Sequence, residues 1–301
     1  MATETPQQTR PPDPAPRWDG AELGGRTLLI TAEQGLGDSI HFLRYAGAAK
    51  TKGGTIVFDC PPPLAELART CPGVDLVVPR GEPLPKFDRQ IPLLSLPGLF
   101  GDPATAPLSK VPYLTPDANR PSRWRGEFEG IGELKVGIAW QGSTAHKGDR
   151  LRSVKLMRFA PLAAIPGVRL FSLQKGFGSE QLTESTAAAM GIAELGSRID
   201  PDLADAAALM THLDLIVIID TALAHLAGAM GIPVWVAIPS APDWRWLRGS
   251  DDTAWYPTMK LFRQSHRSDW DGVFGRIALS LAALVRAKAE GRPPATDSLK
   301  D

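Results

Sequence analysis

Asp220-Thr221-Ala222-Leu223-Ala224-His225 follows directly on the apolar run Leu213–Ile219. The run reads as a buried strand that ends in a polar turn and opens a helix. A helix start offers unpaired backbone N–H groups and a positive dipole end, which suits a phosphate. The Thr221 hydroxyl, the N–H groups of Ala222 and Leu223, and His225 can together hold a diphosphate. The plainer alternative makes Asp220 or Thr221 an N-cap and His225 a half-buried helix residue. A second junction of this kind lies near the front of the chain. There Leu28–Ile30 precedes Glu33-Gln34-Gly35-Leu36-Gly37-Asp38. Gly35 and Gly37 allow a sharp turn and a close ligand. Asp38 then either caps the helix start or serves as a general base in a cleft. The third glycine of the dinucleotide fingerprint is missing. Two anion sites, one per half, imply a two-lobed enzyme that holds a nucleotide-diphosphate compound between its lobes.

Three further segments can line such a cleft. The loop His146–Ser153 carries Lys147, Arg150 and Arg152 and makes an anion clamp or a solvated basic loop. Gln174 and Lys175 occupy the equivalent edge after the next predicted strand. In Pro239–Leu247, Asp243 and Trp244 precede Arg245 and Trp246, a stacking wall or a piece of interdomain packing. Asp200-Pro201-Asp202 and Asp269-Trp270-Asp271 have the Asp-x-Asp form but follow no strand, so they read as helix starts and no metal site is expected.

The elements that must position these residues alternate. Strands are predicted at 27–31, 55–59, 76–79 and 87–92, with helices at 38–50 and 63–70 and a short one near 93–96. A second series places strands at 135–140, 169–173, 215–219, 234–238 and 261–263. Its helices fall at 155–164, 181–190, 202–211, 222–230 and 272–287. Parallel strands joined by helices make a doubly wound α/β protein. Residues 1–22 are Pro-rich and polar and read as a disordered tail, with order beginning near Arg26. One lobe spans 23–118, a linker and hinge 119–133 within the Pro112–Glu133 break, and the second lobe 134–268. A C-terminal helix covers 269–289 and a frayed tail 290–301.

The 301 residues carry 33 Lys+Arg against 33 Asp+Glu, a formal charge of zero, which argues against a nucleic-acid partner. No apolar run approaches the ~20 residues of a membrane span, and the start lacks a signal peptide, so the expected location is the cytoplasm. Cys60 and Cys71 match no zinc pattern and read as reduced thiols.

Together, Gln34-Gly35-Leu36-Gly37-Asp38, Ser172-Leu173-Gln174-Lys175-Gly176, Asp220–His225 and Pro242-Asp243-Trp244-Arg245-Trp246-Leu247 resemble the family-9 glycosyltransferases over about 27–285. That group includes the lipopolysaccharide heptosyltransferases. The similarity is nearest to the branch often fused behind tetratricopeptide repeats. The resemblance implies a GT-B architecture: two Rossmann-like domains across a cleft, acceptor on the N-terminal side and nucleotide sugar on the C-terminal side. It implies inverting, metal-independent transfer; the expected substrates are a nucleotide sugar carrying a hexose or heptose and a glycan, lipid-linked or protein acceptor, with no cofactor beyond the nucleotide sugar, and the resemblance does not extend to recognition of the acceptor. Asp38 matches the family's catalytic base, and Thr221, Ala222, Leu223 and His225 match the segment that contacts the donor diphosphate. Arg152 stands where the heptosyltransferases carry a lysine for the phosphates. An epimerase of the same fold and a non-catalytic sugar-nucleotide or glycan-binding module are the competing readings.

Overall fold

The computed structural model describes residues 15–100 and 110–291. Its N-terminal lobe is built on four parallel strands: β1 (Thr27–Thr31), β2 (Thr55–Cys60), β3 (Leu76–Pro79) and β4 (Arg89–Pro92). They lie in the order β3-β2-β1-β4. Its helices are short: α1 (Leu36–Leu43), α2 (Ala46–Lys50), α3 (Ala65–Ala68) and α4 (Leu96–Phe100).

The C-terminal lobe holds six parallel strands. They are β5 (Leu134–Ala139), β6 (Val168–Ser172), β7 (Ile192–Glu194), β8 (Leu215–Ile219), β9 (Val234–Ile238) and β10 (Met259–Arg263). The helices α5 (Asp149–Arg152), α6 (Ala160–Ala163), α7 (Glu184–Met190), α8 (Leu203–Met210), α9 (Ala222–Ala229) and α10 (Trp270–Ala289) connect or close the series. The order β10-β9-β8-β5-β6-β7 is the doubly wound one, reversing direction between β5 and β8. β8 is buried throughout because helices cover both faces of the sheet.

Side-chain alternation divides the core. Ile216 and Ile218 face an apolar cluster that runs without a break into the N-terminal lobe, where Leu28, Ile30 and Ile40 belong to it. Leu215, Val217 and Ile219 face a second cluster beneath α10. Cys60 and Cys71 are free and buried. Among the described residues no helix is long and apolar enough to cross a membrane.

Several expectations need correction. The predicted helix 38–50 is two helices, because the chain makes an i→i+3 turn at Tyr45, whose N–H bonds the Phe42 carbonyl. Strand β7 was not expected; at three residues it is too short to show periodicity. The expected linker is no free hinge. Arg120–Glu127 forms a 3₁₀ helix on α8, with Trp124 Nε1 donating to Asp205 at 3.0 Å and Arg120 bridging Asp202 and Glu66 across the lobes. A shared apolar core and a docked connection both restrain domain motion. Asp202 and Asp269 are side-chain N-caps of α8 and α10. Of the expected C-terminal tail, residues 292–301 lie outside the described residues, as do 1–14 of the N-terminal one.

The rest of the expected N-terminal tail is ordered. Trp18 is 3% exposed, its backbone N–H donates to Gln90 at 2.9 Å, and its ring meets Phe100 edge-on. Truncation of a buried Trp costs about 3 kcal/mol or more. Trp18→Ala is therefore expected to lower the urea midpoint clearly; an unchanged midpoint would return residues 15–22 to the tail.

Candidate functional site

Open parallel sheets bind ligands beyond the carboxyl ends of their strands, where the strand order reverses. The N-terminal sheet reverses between β1 and β4, and the loop after β1 carries Glu33–Asp38. The C-terminal sheet reverses between β5 and β8, and the turn after β8 carries Asp220 and Thr221. The fold brings these two loops together. A Cβ placed on Gly37 would lie 3.0 Å from His225 Cδ2 and 3.5 Å from Ala222 Cα, so α1 and α9 abut at their N-terminal ends.

The junction is polar and nearly dry. Asp38 Oδ2 accepts the Gly35 N–H at 3.1 Å, and Oδ1 accepts from Arg245 Nη2 at 2.6 Å. Arg245 reaches over from the turn after β9, and the two side chains are 10% and 17% exposed (Arg245 and Asp38). Arg245 Nη1 lies 3.3 Å from His225 Nε2. A guanidinium has only donors, so His225 Nε2 accepts and its Nδ1 carries the proton, donated to Tyr256 Oη at 2.9 Å. Burial holds the His225 pKa well below the usual range, and Arg245 and Arg44 push the same way, so the ring is neutral. Arg245 keeps its charge: burial opposes it, but Asp243, Asp38 and Asp220 outweigh the burial.

At the start of α9, Asp220 accepts from Trp246 Nε1 at 2.8 Å. Burial raises its pKa, against the pull of the Trp246 bond, Arg245 and Arg152. Thr221 occupies the N-cap position, yet its hydroxyl caps nothing and is buried without a hydrogen-bond partner. Native proteins rarely leave such a group unmet. Beside it lie the N–H groups of Ala222 and Leu223, for which the helix has no acceptor. Arg152, 3.4 Å from Asp149, extends its field to both Asp220 and His225. The fold thus brings Asp38, Asp220, Thr221, Ala222, Leu223 and His225 to one junction, with Arg152 near enough to act on Asp220 and His225.

Other expected site residues are used differently. Gln174 is consumed by the scaffold: Oε1 accepts from the N–H groups of Trp140 (2.9 Å) and Gln141 (3.0 Å), and Nε2 donates to the Gln141 and Phe177 carbonyls. It has no hydrogen left for a donor and instead shapes the loop after β5. Lys175 Nζ is tied to the Ile199 carbonyl. Lys147 lines a cavity of about 520 Å³ with His146, Arg150 and Lys155, whose walls include none of Asp38, Asp220 or His225. Asp243 caps the turn that carries Arg245, accepting its N–H at 3.2 Å. Trp244 is 56% exposed at the rim, its ring stacked 6.3 Å from Phe42. Nor do the glycines turn the chain. The left-handed residue is Gln34, at φ 57°, while Gly35 is extended and Gly37 makes room for α9. Among the described residues no His, Cys, Asp or Glu cluster could hold a metal ion.

Sequence reasoning missed Arg245 as a site residue, and with it His41, Arg44, Tyr113 and Tyr256. Tyr256 passes the His225 bond on to the Tyr113 hydroxyl, which donates to the Ile40 carbonyl at 3.0 Å. Arg44 is buried against Tyr113, Trp255 and Tyr256 and donates to the Trp255 carbonyl at 2.9 Å. Among the described residues no carboxylate pairs with it. His41, fully buried beside His225 and Trp255, has no partner for either ring nitrogen. The one available signal was its position three residues after Asp38, on the same face of α1.

Residues 167–238, from β6 to the end of β9, match the model of glycosyltransferase family 9 (heptosyltransferase). Protein FlbA of Caulobacter vibrioides is 29% identical over 296 residues, covering 89% of this chain and 48% of FlbA. The chain thus spans about half the length of that curated relative. Among solved structures, Escherichia coli ADP-heptose lipopolysaccharide heptosyltransferase II superimposes with a TM-score of 0.59 at 15% identity, over 87% of this chain and 99% of that one. A family 9 glycosyltransferase from Veillonella parvula gives 0.57 at 12% identity, over 82% and 88%. At these identities the likeness is one of fold. The two lobes form the GT-B pair of Rossmann-like domains.

The junction has a pH signature. Burial first, then the charges of His225, Arg44 and Arg245, push the His41 pKa well below 6.5. A depressed histidine favours folding above its unfolded pKa, and that stability is lost as the pH falls below about 6.5. His41→Phe removes two unpaired buried polar atoms. It is expected to add about 1 kcal/mol at pH 7.5 and to flatten the fall in thermal midpoint between pH 6.5 and 5. A midpoint that tracks wild type across that range would exclude His41 as a source of acid sensitivity.

Proposed function

We propose that the protein is an inverting, metal-independent glycosyltransferase. It moves a hexose or heptose from a nucleotide-diphosphate donor to a hydroxyl of a glycan, lipid-linked or protein acceptor, and it acts in the cytoplasm. The observation that carries this reading is the Thr221 hydroxyl, buried and unpartnered at the head of α9, whose first turn abuts the loop that holds Asp38. An unmet polar group costs stability, and a diphosphate oxygen would satisfy it.

In the proposed reaction Asp38 accepts the proton of the acceptor hydroxyl. The freed oxygen bonds to the anomeric carbon from the face opposite the nucleotide, and the bond from that carbon to the diphosphate oxygen breaks with its electron pair. The departing diphosphate gains charge. The start of α9 and Arg152 stabilise it, which is the role a metal fills in other transferases. His225, neutral and fixed by Tyr256, supports the first turn of α9. The matched family segment supports the donor side of this reading, since it contains β8 and α9. The resemblance of the Asp-Trp-Arg-Trp and Ser-Leu-Gln-Lys-Gly runs supports assignment to the branch fused to tetratricopeptide repeats.

Thermal stabilisation by ADP-, GDP-, UDP- and dTDP-sugars tests the reading. One nucleotide class should raise the midpoint, by roughly 2.7 kcal/mol of stability at ~100 times its dissociation constant. Asp38→Asn should retain that shift and abolish transfer; normal turnover in this variant would reject Asp38 as the base. Thr221→Val should stabilise the empty protein by about 1 kcal/mol and weaken the donor about tenfold. Unchanged donor affinity would remove Thr221 from the diphosphate site.

A further inference from the structure

Arg245 is bound on both sides of the junction but fully satisfied by neither. Nη2 holds Asp38 through one oxygen only, rather than as a two-pronged pair. Nη1 meets a neutral imidazole at the long distance of 3.3 Å. Nε lies 3.1 Å from Asp243 Oδ1, yet it is buried and its alignment makes no hydrogen bond. A planar guanidinium is suited to an anion that can take two parallel bonds, such as a phosphate. The backbone that carries it is anchored. Its carbonyl accepts from Trp255 Nε1 at 3.0 Å, and the next residue, Trp246, is pinned to Asp220. Side-chain rotation alone would therefore carry the charge between the Asp38 loop and the first turn of α9.

We propose that Arg245 is a positioning residue that exchanges partners. It holds the Asp38 carboxylate while the donor site is empty. When a nucleoside diphosphate group binds at α9, the guanidinium turns to it and leaves Asp38 to the acceptor hydroxyl. The exchange rests on the transferase reading, and it makes release of the base depend on a seated donor.

A thermodynamic cycle tests it by calorimetric titration with free ADP, GDP, UDP, CDP and dTDP, taking the tightest binder. The proteins are wild type, Asp38→Asn, Arg245→Gln and the double variant, each checked for folding by circular dichroism and melting. In wild type, binding must break the pair with Asp38. Asp38→Asn is therefore expected to tighten the diphosphate about fivefold, and Arg245→Gln to weaken it about tenfold. In the Arg245→Gln background the Asp38 change should have no effect. Repulsion of the anion by Asp38 acts alike in both backgrounds, so an equal tightening in each overturns the exchange, as does no tightening in either. Arg245→Lys retains the charge without the fork; it carries the cycle if Arg245→Gln does not fold, with a smaller coupling expected. If no diphosphate binds wild type or Asp38→Asn, the donor reading itself falls, a result distinct from binding without coupling.

Discussion

Two helices meet between the lobes with no room for a side chain, and much else follows from that contact. Gly37 lies against His225, and a Cβ on Gly228 would come within 2.5 Å of the Tyr256 ring. Such close approach removes water from the junction. Every polar group there must then find a partner inside the protein or go without. The chain from His225 through Tyr256 and Tyr113 to the Ile40 carbonyl meets this requirement, joining α9 to the backbone of α1. Arg44 meets it with carbonyls and aromatic faces instead of a carboxylate. A buried guanidinium surrounded by ring faces keeps its charge at a tolerable cost.

The exceptions are informative because they cluster. Thr221 Oγ1, both nitrogens of His41 and Arg245 Nε are unmet and lie at or beside the same junction; Arg263 Nη1, at the end of β10, is unmet as well. Gln34 adds a non-glycine residue at positive φ in the adjoining loop. Strain and unsatisfied groups persist where surrounding structure enforces them, and they concentrate where a ligand will complete the site. The scaffold around them is well satisfied. Gln174 alone ties four backbone groups, and the 3₁₀ helix at 120–127 fastens the connection between lobes to α8. Rigidity of this kind suits a reaction that depends on positioned charge more than on large closure.

Electrostatics at the junction follows from the same dryness. With little water to screen it, Arg245 pairs with Asp38, adds to the burial that keeps the His225 imidazole neutral and opposes the burial that raises the Asp220 pKa. A single cation therefore couples the N-terminal lobe's carboxylate to the C-terminal lobe's helix start. The two halves of the site belong to different domains, and their communication runs through side chains rather than through the connecting segment.

The sequence by itself determined the α/β class, the two-lobed division and the locations of β1, β3, β8 and β9, whose bounds match the structure. These elements are legible because burial imposes a period on the chain, and because Asp, Thr and Gly at strand ends have local meaning. The same local logic singled out Asp38 and the Asp220–His225 turn. Tertiary structure alone decided which candidates meet. Gln174 and Lys175 looked like ligands because polar residues at a strand edge do not reveal whether a backbone group will claim them. Trp18 looked like part of a tail because a lone aromatic among prolines carries no periodicity. Arg245 stands 207 positions after Asp38, and its pairing with that carboxylate is set by how two separately folded sheets dock, which no local pattern encodes.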